Sequence, residues 1–466
     1  KEDSRYFEKA GYLKFRLNKF NEAKLYYLEA YNRKQNDFNT VLFLGLTYYK
    51  LKENTNSIKY LNEASEINPN SQECLKALGA VYLETNQYNL AKEKFEKVLD
   101  INNKIDLFGS LNFANRKIAN WDNYQYEKSE IEKQILVGKN QDTVITPFAA
   151  NTLLDNPSLI FKATQQWVKK IFKDKNIYKF NYNPKKNNKI ILAYFSSDFY
   201  NHATSYLFKD VIKYHNKDKF EIHAFSSKIF PDDGITNELK KNFDYFHEIS
   251  NIEDDKIIEL SNNLKIDIAI NLNGFTKYNK NQCFFSRIAP IQINYLGFPG
   301  SMALKNMDYI IVDKYLINSK NNNFFTEKKI FLPTCYQPNS AYNLNKIKER
   351  YQVPNTSKTN QFSIGCFCSP DKITPSIFDI WLRILQNFDN TLFYLIKHNN
   401  EFEINIKKYI SSKYPSLLNK FIFLEKNIDH EKHLANHNNI DLFVDTYPCN
   451  GHTTTSDIIL FEKPLI

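Results

Sequence analysis

The sequence predicts an α-helical solenoid followed by two α/β domains, each built around a parallel sheet. Three observations lead to this prediction. The first hundred residues repeat with a period of 34. From residue 188, short apolar runs typical of buried strands alternate with amphipathic helical stretches, and the same alternation resumes at residue 362 after a polar segment. Strands that alternate with helices favour a doubly wound parallel sheet.

Glycine marks the repeat, since Gly11, Gly45 and Gly79 stand 34 residues apart although the whole chain has only 11 glycines. The same spacing relates two further sets, namely Tyr27, Leu61 and Phe95, and Ala23, Ser57 and Ala91. This pattern resembles the tetratricopeptide repeat, a helix–turn–helix unit whose small residues let two helices pack closely. We therefore expect about three repeats in residues 1–104, which bind a partner peptide, act as a spacer or support a homo-oligomer.

The remaining boundaries follow from the apolar pattern. Residues 105–187 carry helical patterns without a repeat, at 126–136 and 157–172, and predict a helical connector. The first α/β domain, 188–345, has predicted strands at 190–194, 221–225, 266–272, 291–296, 309–312 and 329–332, with helices at 206–215 and 254–264. A polar linker is expected at 346–361. The second α/β domain, 362–466, has predicted strands at 362–367, 391–396, 420–424, 441–445 and 463–466.

Composition excludes several classes of protein. The net charge of +10 comes mostly from scattered lysines, with only seven arginines, and this disfavours a nucleic-acid partner. Six cysteines without CxxC pairs predict reduced thiols and no metal site. No apolar run reaches the ~20 residues that span a bilayer, so we expect no membrane partner. Reduced thiols, and a start that lacks the pattern of a signal peptide, predict a cytoplasmic location. The chain does not open on Met, which predicts a fragment of a longer protein.

The most informative segment is 441–457. Leu442, Phe443 and Val444 form the apolar run of a buried strand, and a turn rich in Pro, Asn and Gly then leads to Thr453. A helix that begins after such a strand directs its N–H groups and a partial positive charge outward, which suits a phosphate. Asp457 would then accept hydrogen bonds from a sugar hydroxyl. The alternative is an ordinary strand-to-helix turn capped by threonines.

Six segments occur in an order known from one family. They are residues 194–202, 287–292, 295–300, 307–311, 372–375 and 445–457, and residues 120–124 and 147–148 add two landmarks in the connector. On these segments the chain resembles the protein O-linked N-acetylglucosamine transferases and their bacterial and plant relatives. The resemblance implies tetratricopeptide repeats joined to a GT-B pair of Rossmann-like domains, the second one truncated because the family continues beyond residue 466.

The resemblance implies an inverting glycosyltransferase that moves N-acetylglucosamine, or a related sugar, from a UDP-sugar to Ser or Thr of proteins without a metal cofactor. It assigns Lys372 to the diphosphate and His202 to the reaction centre, as a general base or as a positioning group. Residues on the donor side are His433 at the uracil, Asp457 at the ribose, His452, Thr453 and Thr454 at the diphosphate, and Ser369, Gly297, Pro299, Gly300 and Ser301 around them. Asn273, Gly274 and Thr276 are assigned to the acceptor side.

Two departures from the family pattern bear on the donor. Ser369 stands where animal members carry a glutamine, and His430 stands where they carry a lysine. Two other functions stay open. Plant relatives transfer fucose from GDP-fucose, although His452 and Asp457 fit the N-acetylglucosamine branch better. A repeat scaffold with an inactive catalytic half is the third possibility.

Overall fold

The computed structural model divides into two compact units, residues 1–131 with 399–409, and residues 132–398 with 410–466. It describes residues 4–101, 107–138, 145–173, 175, 177–182, 189–228, 233–340, 342, 344–351, 361–427 and 429–466. The helical array at the start of the chain and the two parallel sheets that follow confirm the predicted fold class.

The first unit is built from helix pairs. Its helices are α1 Ser4–Arg16, α2 Phe20–Arg33, α3 Phe38–Lys50, α4 Asn54–Ile67, α5 Gln72–Glu84, α6 Tyr88–Ile101, α7 Phe108–Lys117 and the start of α8 Tyr124–Val137. Helices α1 and α2, α3 and α4, and α5 and α6 form the closest pairs. These three pairs are the helix–turn–helix units that the 34-residue period predicts.

Each repeat glycine stands at a position where a side chain would collide with the second helix of its pair. The glycine of the first helix in each pair faces the large residue that lies 16 positions later in the second helix. A Cβ atom would lie 3.0 Å from Tyr27 at Gly11, 2.7 Å from Leu61 at Gly45 and 2.4 Å from Phe95 at Gly79. Because normal carbon contacts are about 3.5–4.0 Å, only glycine lets the two helices approach this closely.

A buried polar cluster follows the repeats. The Glu127 carboxylate accepts hydrogen bonds from Asn112 at 2.9 Å and Asn115 at 2.7 Å, and Arg116 donates to Asn112 at 2.9 Å. The Arg116 side chain is fully buried and Glu127 is 3% exposed. Burial raises the pKa of Glu127. The carboxylate thus joins α7 to α8. Each of its oxygen atoms accepts a hydrogen bond, and such bonds offset the cost of burying the group.

The second unit opens with α9 Pro147–Leu153 and α10 Pro157–Phe172 and continues with the first sheet. Its strands are β1 Ile190–Ser196, β2 Phe220–Ser226, β3 Tyr245–Glu248, β4 Ile268–Asn271, β5 Ile291–Asn294, β6 Tyr309–Val312 and β7 Lys328–Phe331. They are all parallel, in the order β3-β2-β1-β4-β5-β6-β7. The helices α11 Ala203–Lys213, α12 Gly234–Asn242, α13 Asp254–Leu264 and α14 Asn281–Ser286 connect them.

Strand β1 shows why this sheet is apolar throughout. Ile191, Ala193 and Phe195 enter one hydrophobic cluster, whereas Leu192 and Tyr194 enter another. Successive side chains of a strand point to opposite faces, so both faces of the sheet are covered. The sequence missed β3, because Tyr245–Glu248 is a short, half-exposed strand without such a run.

The second sheet holds β8 Phe362–Cys366, β9 Thr391–Lys397, β10 Phe421–Glu425 and β11 Leu442–Phe443, parallel and in the order β10-β9-β8-β11. Its helices are α15 Leu344–Arg350, α16 Pro375–Gln386, α18 His430–Ala435 and α19 Thr453–Leu460. Helix α17 Asn400–Lys413 stands between β9 and β10 in the chain, and its residues 400–409 belong to the first unit. Short 3-10 helices lie at Asn322–Phe324, Pro370–Lys372, Pro415–Lys420 and Asn436–Asn439.

Three predicted elements differ from the structure. The strand expected at 463–466 is reduced to an isolated bridge between Phe443 and Leu465, since Pro464 has no N–H to donate to a ladder. The helix expected at 206–215 begins earlier, after His202. The linker expected at 346–361 begins inside α15, and residues 352–360 lie outside the described residues.

Two further findings concern the chain as a whole. No helix within the described ranges is long and apolar enough to cross a membrane. All six cysteines are free thiols.

Candidate functional site

The loops after β8 and β11 lie side by side because these two parallel strands are neighbours in the second sheet. The first loop carries the 3-10 turn Pro370–Lys372. The second loop forms the turn that precedes α19. The Lys372 ammonium donates a hydrogen bond to the Asn450 carbonyl oxygen at 2.7 Å, so a cation reaches the turn that the sequence singled out.

Asp445 closes this turn. Its Oδ1 atom accepts hydrogen bonds from the backbone N–H groups of Thr446 and Gly451, both at 2.7 Å. Gly451 is needed because a Cβ atom there would lie 2.8 Å from the Thr455 hydroxyl and 2.9 Å from the Cys368 sulfur. The turn therefore has one defined shape, fixed by a single carboxylate and a close backbone approach.

Helix α19 begins without a side-chain cap. His452 occupies the N-cap position and makes no capping hydrogen bond. The first amides of a helix have no intrahelical acceptor and carry partial positive charge, so those of Thr453 and Thr454 suit an anion. Burial, with a smaller effect from the charge of Lys372, lowers the pKa of His452 to about 4. His452 is therefore neutral at pH 7 and leaves Lys372 as the cation of the turn.

Asp457 lies one turn further along α19. Its side chain is 5% exposed, and burial raises its pKa to about 7. Within the part of the chain that the structure describes, no group donates a hydrogen bond to this carboxylate. A buried carboxylate without donors is an acceptor site for a ligand that brings hydroxyl groups.

His433 lies near Asp457, with its ring in α18. Burial, and to a smaller extent the charge of Lys426, lowers the pKa of His433, so its ring is neutral at pH 7. A neutral, half-buried ring can pack on a nucleobase. The structure thus brings together Lys372, the start of α19, Asp457 and His433 at one edge of the second sheet.

Ser369 makes a hydrogen bond within the loop that follows β8. Its hydroxyl donates to the Asp371 carboxylate at 2.5 Å, and Asp371 is 1% exposed. The hydroxyl thereby shapes the loop that carries Lys372. Its role at the donor stays a prediction.

His202 caps helix α11 at the edge of the first sheet. Its Nδ1 atom accepts a hydrogen bond from the Thr204 N–H at 3.2 Å and lies 3.8 Å from an Asp198 oxygen. A neutral imidazole that accepts at Nδ1 carries its proton on Nε2. The other nitrogen of His202 is then a hydrogen-bond donor, which favours positioning over general-base catalysis.

The predicted acceptor-side residues brace the loops after β1 and β4. Asn273 accepts from the Ser197 N–H at 2.7 Å, and its amide donates to the Ser197 hydroxyl, to Asp198 and to Thr276. Gly274 has φ +55°, and a Cβ atom there would lie 2.2 Å from Phe298. The polar groups of Asn273 are thus used inside the protein, and contact with an acceptor stays a prediction.

The loop after β5 is also held from within. A Cβ atom at Gly297 would lie 2.1 Å from the Leu272 carbonyl oxygen. The Asn294 amide donates to the carbonyls of Phe298 and Gly300, both at 3.1 Å, on either side of Pro299. The Ser301 hydroxyl donates to Glu327 at 2.8 Å, a buried carboxyl whose pKa is raised by burial. Ser301 therefore supports the loop, and no described contact joins this loop to Lys372 or α19.

The sequence analysis did not predict the role of Gln337, which links the segment after β7 to α19. Its amide nitrogen donates to the Ser456 hydroxyl at 2.5 Å and to the His452 carbonyl at 3.4 Å. Nearby, the Tyr206 ring stacks on His430 with centroids 3.7 Å apart. No local motif signals such contacts between residues more than a hundred positions apart.

Comparison with known proteins adds the family context. The profile of glycosyl transferase family 41 matches residues 162–364 and 346–466, and a tetratricopeptide repeat profile matches residues 40–71 and 76–105. The curated relatives include the "probable UDP-N-acetylglucosamine--peptide N-acetylglucosaminyltransferase SEC" of Arabidopsis thaliana. It is 29% identical over 59% of this chain and 28% of its own length.

Two further relatives extend the comparison. The "probable UDP-N-acetylglucosamine--peptide N-acetylglucosaminyltransferase SPINDLY" of Hordeum vulgare is 25% identical over 66% of this chain and 33% of its own length. A mutant O-GlcNAc transferase of Thermobaculum terrenum has a solved structure that aligns with 100% of this chain and 83% of its own, with a TM-score of 0.66 and 17% identity. The chain spans about a third of the length of the curated relatives it matches, and the solved structure shows a shared fold.

Proposed function

Since the chain belongs to glycosyl transferase family 41, we propose that it moves N-acetylglucosamine from a UDP-sugar to Ser or Thr hydroxyls of proteins, with inversion. The observation that carries this proposal is the position of Lys372. Its ammonium lies 2.7 Å from Asn450 O, beside the uncapped start of α19 and on the same sheet edge as the buried Asp457. The activity for which the relatives are named supports a UDP-sugar donor and a peptide acceptor.

Each group has a separate task in this proposal. Lys372 and the amides of Thr453 and Thr454 bind the diphosphate and stabilise the negative charge that develops as it leaves the sugar. The Asp457 carboxylate accepts the ribose hydroxyls, and the His433 ring packs on the uracil. Because an ammonium group and helix amides already neutralise the leaving group, the proposed reaction uses no metal cofactor.

His202 takes a positioning role in this proposal. Its Nε2–H donates to a sugar or acceptor oxygen while Thr204 and Asp198 hold the ring. Asn273 keeps Asp198 and the loop after β4 in place. A protein acceptor, a cytoplasmic location and assembly through the repeats belong to the proposal as expectations from the sequence.

Lys372→Met tests whether the positive charge of Lys372 binds the diphosphate, because Met has a side chain of similar length without the ammonium group. A hydrogen bond to a charged group contributes about 1.5–3 kcal/mol, so we expect UDP affinity to fall about 10- to 150-fold in calorimetry. Uridine, which has no phosphates, should bind both proteins alike. Lys420→Met is the matched control, since Lys420 also donates to backbone carbonyls, those of Leu385 and Phe388. Unchanged UDP affinity in Lys372→Met would refute the proposed role of this charge.

The same titrations separate the alternatives. GDP binding in place of UDP binding would support transfer of fucose from GDP-fucose. Binding of neither nucleotide would support the repeat scaffold. The activity for which the relatives are named favours UDP, and hydrolysis of a panel of nucleotide sugars would identify the donor sugar.

A further inference from the structure

We propose that His433, His437 and Asp457 form a binding site for a divalent first-row transition metal such as Zn²⁺, and that the bound metal excludes the nucleotide. One ligand atom from each of these side chains lies within 4.8 Å of the other two. Two imidazoles and one carboxylate form a ligand set that suits Zn²⁺ and its neighbours in the first row.

His437 is the strongest single indication. Its side chain is 0% exposed, and its Nε2 atom has no hydrogen-bond partner among the described residues. Its Nδ1 atom lies 3.0 Å from the Leu434 carbonyl, so the neutral ring donates there and keeps a lone pair on Nε2. Metal-binding histidines are usually oriented in this way by a carbonyl on the other nitrogen. A ligand at Nε2 would satisfy an acceptor that is otherwise buried and unpaired.

The ring of His437 is also held by its apolar neighbours. Phe461 stacks against it with centroids 5.8 Å apart, and Phe367 meets it edge-on at 5.1 Å. The direction of the free lone pair is therefore fixed by packing, as a metal ligand requires.

His433 stands four residues before His437, where α18 passes into the 3-10 helix Asn436–Asn439. Residues four apart lie on the same side of a helix. The two ring centroids are 5.3 Å apart and the rings are nearly perpendicular, at 89°. Asp457 approaches from α19 and adds a carboxylate that no described group pairs.

The geometry requires only a modest closure. With Zn–N and Zn–O distances of about 2.0–2.2 Å, tetrahedral ligands lie about 3.3–3.6 Å apart. The present separations reach at most 4.8 Å, so a shift of about 1.5 Å suffices. His433 is half-buried and can supply it, whereas His437 is fixed. Three protein ligands leave the fourth position of a tetrahedral metal for a water molecule.

The consequence for the donor follows from shared residues. Asp457 and His433 are the proposed contacts of the ribose and the uracil, so metal and nucleotide compete for the same side chains. Metal binding is independent of the proposed function, whereas this competition rests on it. The metal would act as an inhibitor, not as a cofactor of sugar transfer.

Titration of the full chain with Co²⁺ tests the site. We expect one Co²⁺ per chain, visible d–d bands of tetrahedral nitrogen and oxygen ligation without a thiolate charge-transfer band, and displacement by Zn²⁺. Asp457→Asn and His433→Gln should each weaken binding at least tenfold. His247→Gln is the matched control, because His247 belongs to the other histidine pair, with His223 at 3.0 Å.

Several results would overturn the proposal. These are no saturable Co²⁺ binding, a thiolate band, or affinity that both Asp457→Asn and His433→Gln leave unchanged. Those two variants decide the matter even if His437→Gln, in the core, fails to fold. Competition is tested separately: UDP that binds without displacing Co²⁺ would refute the exclusion. Failure of UDP to bind the metal-free chain would contradict the proposed function and leave the cobalt result unaffected.

Discussion

Replacing the repeat glycines by alanine tests whether the close approach of the paired helices sets the 34-residue period. A Cβ atom would lie 2.4 Å from Phe95 at Gly79, 2.7 Å from Leu61 at Gly45 and 3.0 Å from Tyr27 at Gly11. Each facing side chain is at most 2% exposed and cannot move into solvent. The steric conflict therefore grows from the first repeat to the third.

The expected magnitudes follow from two opposing effects. Alanine is better than glycine inside a helix by about 1 kcal/mol. Overpacking a filled core costs about 1–3 kcal/mol and more when a ring carbon is about 1 Å too close. We expect Gly79→Ala to lower the free energy of unfolding of the first unit by about 2 kcal/mol, Gly45→Ala by about 1 kcal/mol, and Gly11→Ala hardly at all.

Hydrogen exchange by mass spectrometry can locate these losses. Peptides within residues 4–101 should exchange faster in Gly79→Ala, whereas those of the second unit should not change. Gly234→Ala is the control, because nothing lies within 4 Å of a Cβ atom there. Equal protection in Gly79→Ala and the parent, or a larger effect in Gly11→Ala, would refute the packing argument.

Three further predictions concern the second unit. In Asp445→Asn, the N–H groups of Thr446 and Gly451 lose a charged acceptor. We therefore expect the free energy of unfolding in denaturant titrations to fall by about 1–3 kcal/mol and UDP binding in calorimetry to weaken. Unchanged UDP affinity would show that the turn shape does not govern binding. Arg287→Lys removes the two parallel hydrogen bonds to Asp308, both 2.9 Å, because an ammonium group cannot make both. We expect the free energy of unfolding in urea titrations to fall by about 1–3 kcal/mol, and equal stability would contradict this. His430→Phe tests the pH dependence of stability. Burial first, and the charge of His433 second, lower the pKa of His430 to about 4 in the folded chain. Between about pH 6.5 and 4 the unfolded chain therefore binds a proton that folded His430 does not, so the free energy of unfolding falls as the pH falls through this range. The drop in unfolding free energy between pH 7 and 4.5 should shrink by up to about 3 kcal/mol in His430→Phe, and an unchanged drop would contradict the assignment.

The elements that could be predicted from sequence depend on local patterns. The helix pairs follow from the spacing of glycines and their large partners, and β1 follows from an apolar run buried on both faces. The neighbouring loops of Lys372 and α19 could be placed together because parallel strands deliver their carboxyl ends to one edge. Strand β3 lacked any such pattern.

The direction of a side chain could not be predicted. Ser301 and Asn273 stand in motif segments, yet Ser301 donates to the buried Glu327, and Asn273 joins two loops. Gln337 reaches α19, and His437 lies beside His433 and Asp457, through contacts that only the folded chain makes. A motif fixes the position of a residue along the chain, but the packing of the surrounding core decides which way its polar atoms point.

The buried cluster of Arg116 and Glu127 determines where the repeat array can be separated from the rest of the chain. A polypeptide that stops between α7 and α8 would keep Arg116, Asn112 and Asn115 but discard the carboxylate to which both amides donate. In such a product, the guanidinium of Arg116, which is fully buried in the whole chain, would be exposed or left without its buried surroundings. Because Leu111 and Ala114 of α7 also belong to the hydrophobic core of the repeats, isolated arrays intended for partner screening should extend past Glu127.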